Sequence, residues 1–418
     1  MRAALDPLRH QAFRRLLAGR TITTVGNAVA PLALAFAVLD LTDSVTMLGL
    51  IVGARSLANV AFLLLGGVLA DRLPRHWVLV GSNVLSGLTQ AVVAVLVLTH
   101  TAHVPALVVL SVLNGALAAI SLPASAALTP QTVPSEIRQQ ANAVIRLGAN
   151  AAMILGAAAG GALVAVIGPG WGLAVDAATF LVSGAVFAGL RVPPVAGSSG
   201  AGVLTDLREG WTEFTARTWV WVVVAAFTVI NATIGVMQVL GPAVADTTIG
   251  RGGWGLVLAA ETVGMVIGGL FALRSRSRRP LLAAMLWIAV SPLLLIGLGI
   301  APYLPLLIAI GVLCGIGVEQ FSVAWETSMQ QHIPPERLAR VYSYDMLGSF
   351  LAIPVGEMVA GPIAGGVGTT ATLLGAAALG LTAALAAAAT PSVRRLRREA
   401  PTPPAVVSAS ATATTGAA

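Results

Sequence analysis

Along this 418-residue chain, runs of about 20 residues pass almost without charge and recur from end to end. They fall at about 17–39, 46–70, 77–99, 104–127, 141–167 and 171–190, and again at about 219–244, 253–273, 280–300, 304–325, 341–366 and 370–389. Each can cross a bilayer core of roughly 30 Å as an α-helix rising 1.5 Å per residue. The runs are continuous and rich in Ala, Leu and Gly rather than alternating, which argues for helices and against barrel strands. Only 10% of the residues are charged and 57% are hydrophobic, too little charge to coat a soluble domain. The expected fold is an all-α integral membrane protein of twelve transmembrane helices, multi-pass and embedded in a lipid bilayer.

The distribution of positive charge tests the helix count. The net charge is +7, all of it from arginine, since the chain has no lysine. With twelve spans both termini share one side, and that side collects the N-terminal arginines, the tail arginines and those of every second connection. Arg251 falls on the opposite side and Arg55 inside the second span. Such a bias marks the cytoplasmic face, so both termini are expected in the cytoplasm of a bacterial cell with the protein in its inner membrane. The basic balance therefore reports topology, and no nucleic-acid partner is implied. Cys314 is the single cysteine and lies in an apolar run, so no disulfide framework or thiolate metal site is expected. No A-x-A cleavage site follows the first apolar run, which reads as a retained helix.

The two sets of six spans repeat each other. At an offset of 200, Gln131, Pro134, Glu136, Gly148, Gly156, Gly161 and Gly168 match Gln331, Pro334, Glu336, Gly348, Gly356, Gly361 and Gly368. GGVLADR at 66–72 matches GGLFALR at 268–274, with Leu273 in place of Asp71. Two parallel six-helix repeats follow. The expected organisation is a six-helix bundle at 1–190, a connection at 191–218, a second bundle at 219–389 and a disordered cytoplasmic tail at 390–418. In the connection, Leu204, Leu207, Trp211 and Phe214 recur at helical spacing, either as an amphipathic helix on the membrane face or as plain linker packing.

The segment GGVLADRLPR at 66–75 sits in a turn too short to form a domain. Gly67, Asp71, Arg72 and Arg75, with His76 in the last basic place, resemble the loop between helices 2 and 3 of the major facilitator superfamily, G-x-x-x-D-R/K-x-G-R-R/K. Pro74 stands where that family usually has Gly. The segments VLDLTDS at 38–44, DAATFLVSG at 176–184, DLREGW at 206–211 and WETSMQQHIPPERLARVYSYD at 325–345 resemble one branch of it, bacterial twelve-helix exporters related to enterobactin and macrolide efflux proteins. The resemblance covers nearly the whole chain. It implies an inner gate in which Asp71 caps the cytoplasmic start of span 11 near Arg340, with Asp345 answering Arg72 or Arg75. The alternative is that Arg72 and Arg75 set topology. Gly156, Gly160 and Gly161 resemble a G-P-x-x-G-G antiporter motif with Ala157 in place of Pro, and ordinary glycine-mediated helix packing explains them equally well. Asn27 stands where relatives often carry an acid, and it can hydrogen-bond a substrate but cannot carry a proton.

Ionisable side chains in hydrocarbon are costly and mark candidate functional sites. Glu261 in span 8 is the leading candidate for a proton carrier, since an isolated buried carboxyl favours its neutral form; the alternative is pairing with a neighbouring helix. Glu319 and Glu357 are further candidates. Asp176 reads as structural, near the N-terminus of span 6. Arg55 reads first as an ion-pair partner of Asp40, Asp43 or Glu357, and otherwise as a ligand for an anionic substrate.

Enzyme chemistry finds no support. The five histidines are dispersed without a metal-ligand set, and a lysine-free chain has no Walker motif. No metal and no cofactor are expected beyond the proton gradient as driving force. The reading is a monomeric secondary transporter exporting a lipophilic or amphipathic small molecule, such as a drug, siderophore or natural product, in exchange for protons. A mostly apolar cavity is expected for such cargo. The rivals are a proton-linked importer of a small metabolite and a non-transporting sensor or accessory protein.

Overall fold

A computed structural model of the protein describes residues 3–397 apart from 73, 191–210 and 275–276, without the side chains of 3–5, 64–72, 75, 127, 335–336, 339–340 and 343. Among the described residues the chain is all helical, with twelve spans long and apolar enough to cross a membrane. They are α1 (Gln11–Thr42), α2 (Val45–Arg72), α3 (Arg75–Leu98), α4 (Val104–Thr132), α5 (Arg138–Ile167), α6 (Pro169–Ala188), α7 (Thr218–Thr247), α8 (Gly250–Arg274), α9 (Pro280–Ile300), α10 (Leu304–His332), α11 (335–367) and α12 (Thr369–Ala389).

Two spans are interrupted, each four residues before a proline. In α9 the first helix ends at Ile288 and the second begins at Pro292. In α11 the first helix ends at Phe350, four residues before Pro354. Proline lacks the N–H that would bond the carbonyl four residues back, and its ring crowds that carbonyl. The continuous apolar runs of the sequence conceal both breaks.

The repeat is built into the packing. α1 packs on α5 and α6, α2 on α4, and α3 on α4 and α6; in the second set α7 packs on α11 and α12, α8 on α10, and α9 on α10 and α12. The two sets meet mainly where α5 crosses α8 and where α2 crosses α11, two contacts that the repeat relates to each other. The repeated glycines hold equivalent places. Gly168 (φ 94°, ψ 165°) and Gly368 (φ 91°, ψ 150°) make the one-residue turns into α6 and α12, in a region of backbone space open essentially to glycine alone. Gly161 lies against Gly255 of α8, where an added Cβ would stand 2.8 Å from Cα, and Gly361 lies against Thr46 of α2, where it would stand 2.4 Å away.

One apolar core runs across both sets at the end remote from the chain termini, joining Phe36, Leu48 and Val164 of the first set to Val239, Trp254, Leu298 and Ala360 of the second. At the end where the termini lie, the buried apolar residues divide. One cluster around Trp219, Met285, Phe321 and Trp325 belongs to the second set, and separate clusters around Leu16, Phe187 and Phe13 belong to the first. Among the described residues, buried apolar contact between the two sets is therefore continuous at the far end and divided at the terminal end.

Of the connection between the sets, residues 211–216 are described and are helical. Leu204 and Leu207 of the linker stripe lie outside the described residues, but Phe214 is buried and stacks near Trp211 and Tyr344 of α11. Glu213 accepts from Arg217 at 2.7 Å and also pairs with Arg337, and the hydrogen bond from Arg217 holds its carboxyl below the usual range. The described part of the linker thus docks on the second set. The tail is ordered at its start, against an expected disorder from residue 390. Pro391–Arg395 forms a short helix and buries Val393 in the second-set core, because an apolar residue one turn beyond α12 still reaches that core. Residues 398–418 lie outside the described part.

Candidate functional site

A cavity of about 430 Å³ lies within the first set of helices. Its wall begins on one face of α1, where Arg20, Thr23, Thr24 and Asn27 follow helical spacing, and continues with Ser82, Asn83 and Ser86 of α3 and Ser121 and Ser125 of α4. Phe180 and Phe187 of α6 supply the aromatic part. Hydroxyls survive in these helices because they bond within them: Thr24 Oγ1 donates to the Arg20 carbonyl at 2.7 Å, and Asn83 Nδ2 donates to the Leu79 carbonyl at 2.8 Å. Arg20 Nη1 donates to Thr129 Oγ1 at 3.1 Å. The expected apolar lining is present in Leu79, Ala118, Leu122, Phe180 and Phe187. The hydroxyls, amides and two guanidiniums that stand among them are what the composition of the spans did not reveal.

Arg55 of α2 lines this cavity and also a smaller one, of about 140 Å³, between α2 and α11. Its Nε donates to Asn114 Oδ1 at 3.1 Å, and its charge acts on Asp176 and Glu357. Ser56 Oγ, one residue on, donates to Glu357 Oε1 at 3.1 Å across the boundary between the sets. Asp176 is 1% exposed and Glu357 0%, and each keeps one carboxyl oxygen without a hydrogen-bond partner among the described residues. A carboxyl so placed is far cheaper to bury neutral than charged. Gly26 allows the approach of Asp176, since a Cβ there would meet Asp176 Oδ1 at 2.5 Å. Asp176 lies two turns into α6 and beyond the reach of its N-terminal dipole, so the helix-terminus explanation for it fails. Arg55, Asp176, Glu357 and Asn27 are brought to one region from four helices.

The other candidates stand apart. Glu261 borders a pocket of about 50 Å³ with Phe227, Ile234, Met237, Leu294 and Cys314, all from the second set. Glu319 bonds Arg146 of α5 at 3.3 Å, a contact between the sets nearer the terminal end. Asp345 accepts from Trp325 Nε1 at 3.0 Å and from Ser349. The gate partners assigned to it belong to side chains outside the described residues, as do Gly67, Asp71, Arg72, Arg75 and Arg340. In the glycine motif, Gly156 and Gly160 press on Val25 and Val29 of α1, and Gly161 presses on α8. The motif therefore serves close helix packing on two sides.

Arg251, conspicuous in the sequence only for lying on the wrong side, closes the far end. Its Nη1 donates to Asp40 Oδ2 of α1 at 2.9 Å and its Nε to Asp246 Oδ1 at 2.8 Å, and it lies 5.0 Å from the ring centre of Phe36. Asp40 is thus taken by Arg251 and does not pair with Arg55, which the path of α1 places deeper in the first set; Asp43 caps α1 at φ 47°. Partly exposed ion pairs contribute about 0.2–1 kcal/mol each. Arg251→Ala is accordingly expected to raise the reactivity of an engineered cysteine at Thr46 toward a membrane-impermeant thiol reagent by a modest, several-fold factor. Unchanged labelling would remove Arg251 from the closure.

Comparison with known proteins agrees with this arrangement. A twelve-helix membrane protein of two six-helix repeats, with a cavity in the first of them, has the build of the polytopic small-molecule transporters. Residues 16–260 match the sequence profile of the Major Facilitator Superfamily, and the chain belongs to that family. It is 27% identical over 384 residues to the multidrug efflux pump Tap of Mycolicibacterium fortuitum, covering 88% of this chain and 91% of that one. It is 26% identical over 367 residues to the enterobactin exporter EntS of Shigella boydii serotype 4 (strain Sb227), covering 87% and 86%. Among solved structures it resembles the nucleoside transporter NupG, with a TM-score of 0.76 at 14% identity over 92% of this chain and 100% of that one. It also resembles a bacterial homolog of the human lysosomal transporter Spinster, with a TM-score of 0.67 at 15% identity over 90% and 93%.

Proposed function

We propose that this transporter exports a small amphipathic molecule across the bacterial inner membrane by alternating access, in exchange for protons and acting as a monomer. The single observation that carries the reading is the asymmetry of closure: among the described residues the two repeats join through one core at the far end and divide into separate clusters at the terminal end. With the arginine-rich end cytoplasmic, that asymmetry fits an inward-facing state, and rocking of residues 1–190 against 219–389 would open the far end instead. The similarity to an efflux pump and an exporter supports the outward direction.

Glu357 suits the coupling role better than Glu261. A group can bias two states only if its surroundings differ between them. Glu357 touches α2 across the boundary, whereas the pocket beside Glu261 is lined by one set alone. A neutral Glu357 is at ease in the closed far end, and a charged one favours opening it.

Proton-linked uptake is the second reading, and the placement of Arg55 favours it. An anion drawn to Arg55 would weaken its hold on ionised Asp176 and Glu357, so anion and proton would bind together and move together. Inverted membrane vesicles with an acid-driven gradient separate the readings. Export predicts roughly tenfold accumulation of a fluorescent amphiphile in the vesicle lumen, abolished by an uncoupler. Accumulation confined to right-side-out vesicles would establish uptake, and none in either would leave a non-transporting accessory role.

A further inference from the structure

The cavity of the first set is asymmetric in charge as well as in polarity. Arg20 and Arg55 both line it, and among the described residues no Asp or Glu does. Arg20 sits one turn from Thr23 and Thr24 near the start of α1, and Arg55 lies deeper on α2, where a further small space with Gln90, Ser111 and Asn114 begins. Between them stand the hydroxyls and amides of three helices. Arg20 bonds a threonine and Arg55 an asparagine, neutral partners that leave both charges uncompensated at hydrogen-bond distance. Asp176 and Glu357 act on Arg55 through space, and neither lines the cavity. Two cations in a low-dielectric space raise the local concentration of anions and repel cations, and guanidinium forks match carboxylate or phosphate oxygens. The pocket in the second set is built instead from Phe227, Ile234, Met237 and Leu294.

From this juxtaposition we propose that the first-set cavity is a binding site for the anionic, hydrogen-bonding end of an amphipathic ligand, held between Arg20 and Arg55, with its apolar end directed to the second set. The site rests on the reading that this cavity carries the cargo, and through Arg55 it bears on the uptake reading in particular. Arg20 thereby gains a role beyond topology, and organic cations become poor ligands for the same space.

The test uses the full chain in lipid nanodiscs and two dyes of one skeleton, the anion fluorescein and the cation rhodamine 123, followed by fluorescence anisotropy. Fluorescein is expected to bind at least about tenfold more tightly than rhodamine 123, since losing one charge-assisted contact to an ionised group costs roughly 1.5–3 kcal/mol. Arg20→Gln and Arg55→Gln should each weaken fluorescein about tenfold or more and leave rhodamine 123 unchanged or tighter. Arg20→Lys should retain most of the affinity and serves as the control for folding, together with an unchanged unfolding temperature. Absent fluorescein binding, binding of rhodamine 123 tighter than that of fluorescein by the unsubstituted protein, or equal losses of both dyes in the arginine variants would overturn the anion site. Fluorescein bound as expected but never moved in vesicles would overturn the transport reading and leave the site standing. Rhodamine moved with full activity by the arginine variants would do the reverse.

Discussion

Gly361→Val is expected to drive the far ends of the two repeats apart and hold the protein away from the arrangement described above. A Cβ at residue 361 would stand 2.4 Å from Thr46 Cα and 2.6 Å from its backbone nitrogen. Backbone cannot rotate aside as a side chain can, so α2 and α11 must separate. Overpacking of this kind costs about 1–3 kcal/mol, which would shift a two-state equilibrium roughly 5- to 150-fold. The repeat offers an internal check. Gly161→Val should act in the same direction, because its Cβ would stand 2.8 Å from Gly255 Cα at the related crossing of α5 and α8. Spin labels placed on the far ends of α2 and α11 would report the change as a lengthened distance distribution. An unaltered distribution in both variants would mean that these crossings do not set the closure.

Glu357→Gln is expected to uncouple transport from protons while sparing the binding of cargo. The amide keeps the size of the acid and still accepts from Ser56, whose Oγ lies 3.1 Å from Glu357 Oε1, but it cannot gain or lose a proton. Proton-driven transport should fall by roughly tenfold or more, since about 1.4 kcal/mol of lost coupling suffices for that factor. Its dependence on pH should flatten, while exchange of cargo at equilibrium persists. Glu261→Gln is the contrasting variant and should keep a clear pH dependence. If Glu261→Gln flattens the profile and Glu357→Gln does not, the coupling assignment reverses.

Much of the fold was legible because hydrophobic length leaves few alternatives. Twelve apolar runs and a one-sided arginine distribution require a polytopic bundle, and the shared offset of seven positions requires two copies of one unit. Gly168 and Gly368 illustrate the limit of that legibility. Their identity at an offset of 200 signalled a repeat, but only the backbone revealed that both occupy a conformation closed to other residues. The breaks at Ile288 and Phe350 were readable in principle from Pro292 and Pro354, and a hydropathy average hides them.

The site was legible residue by residue and illegible as a constellation. Burial cost alone flagged Arg55, Asp176, Glu261, Glu319 and Glu357. It could not separate Glu319, which meets Arg146, from Glu357, which meets Ser56 across the boundary. Arg20 and Arg251 were absorbed into the count of charges by side, which records where an arginine lies along the membrane normal and nothing of what it faces.

The sequence by itself determined the class of protein, the number of helices, their repeat and the end at which positive charge collects. These follow from one-dimensional quantities: run length, charge sign and offset. Only the tertiary structure decided that the two sets share one apolar core at the far end, that Arg251 bridges Asp40 and Asp246 there, and that the cavity wall carries hydroxyls and two guanidiniums beside its apolar residues. The physical reason is the helix itself. With 3.6 residues per turn, the composition of a span averages over lipid-facing, packed and cavity-facing sides, and the facing of each side is fixed by contacts between helices distant in the chain.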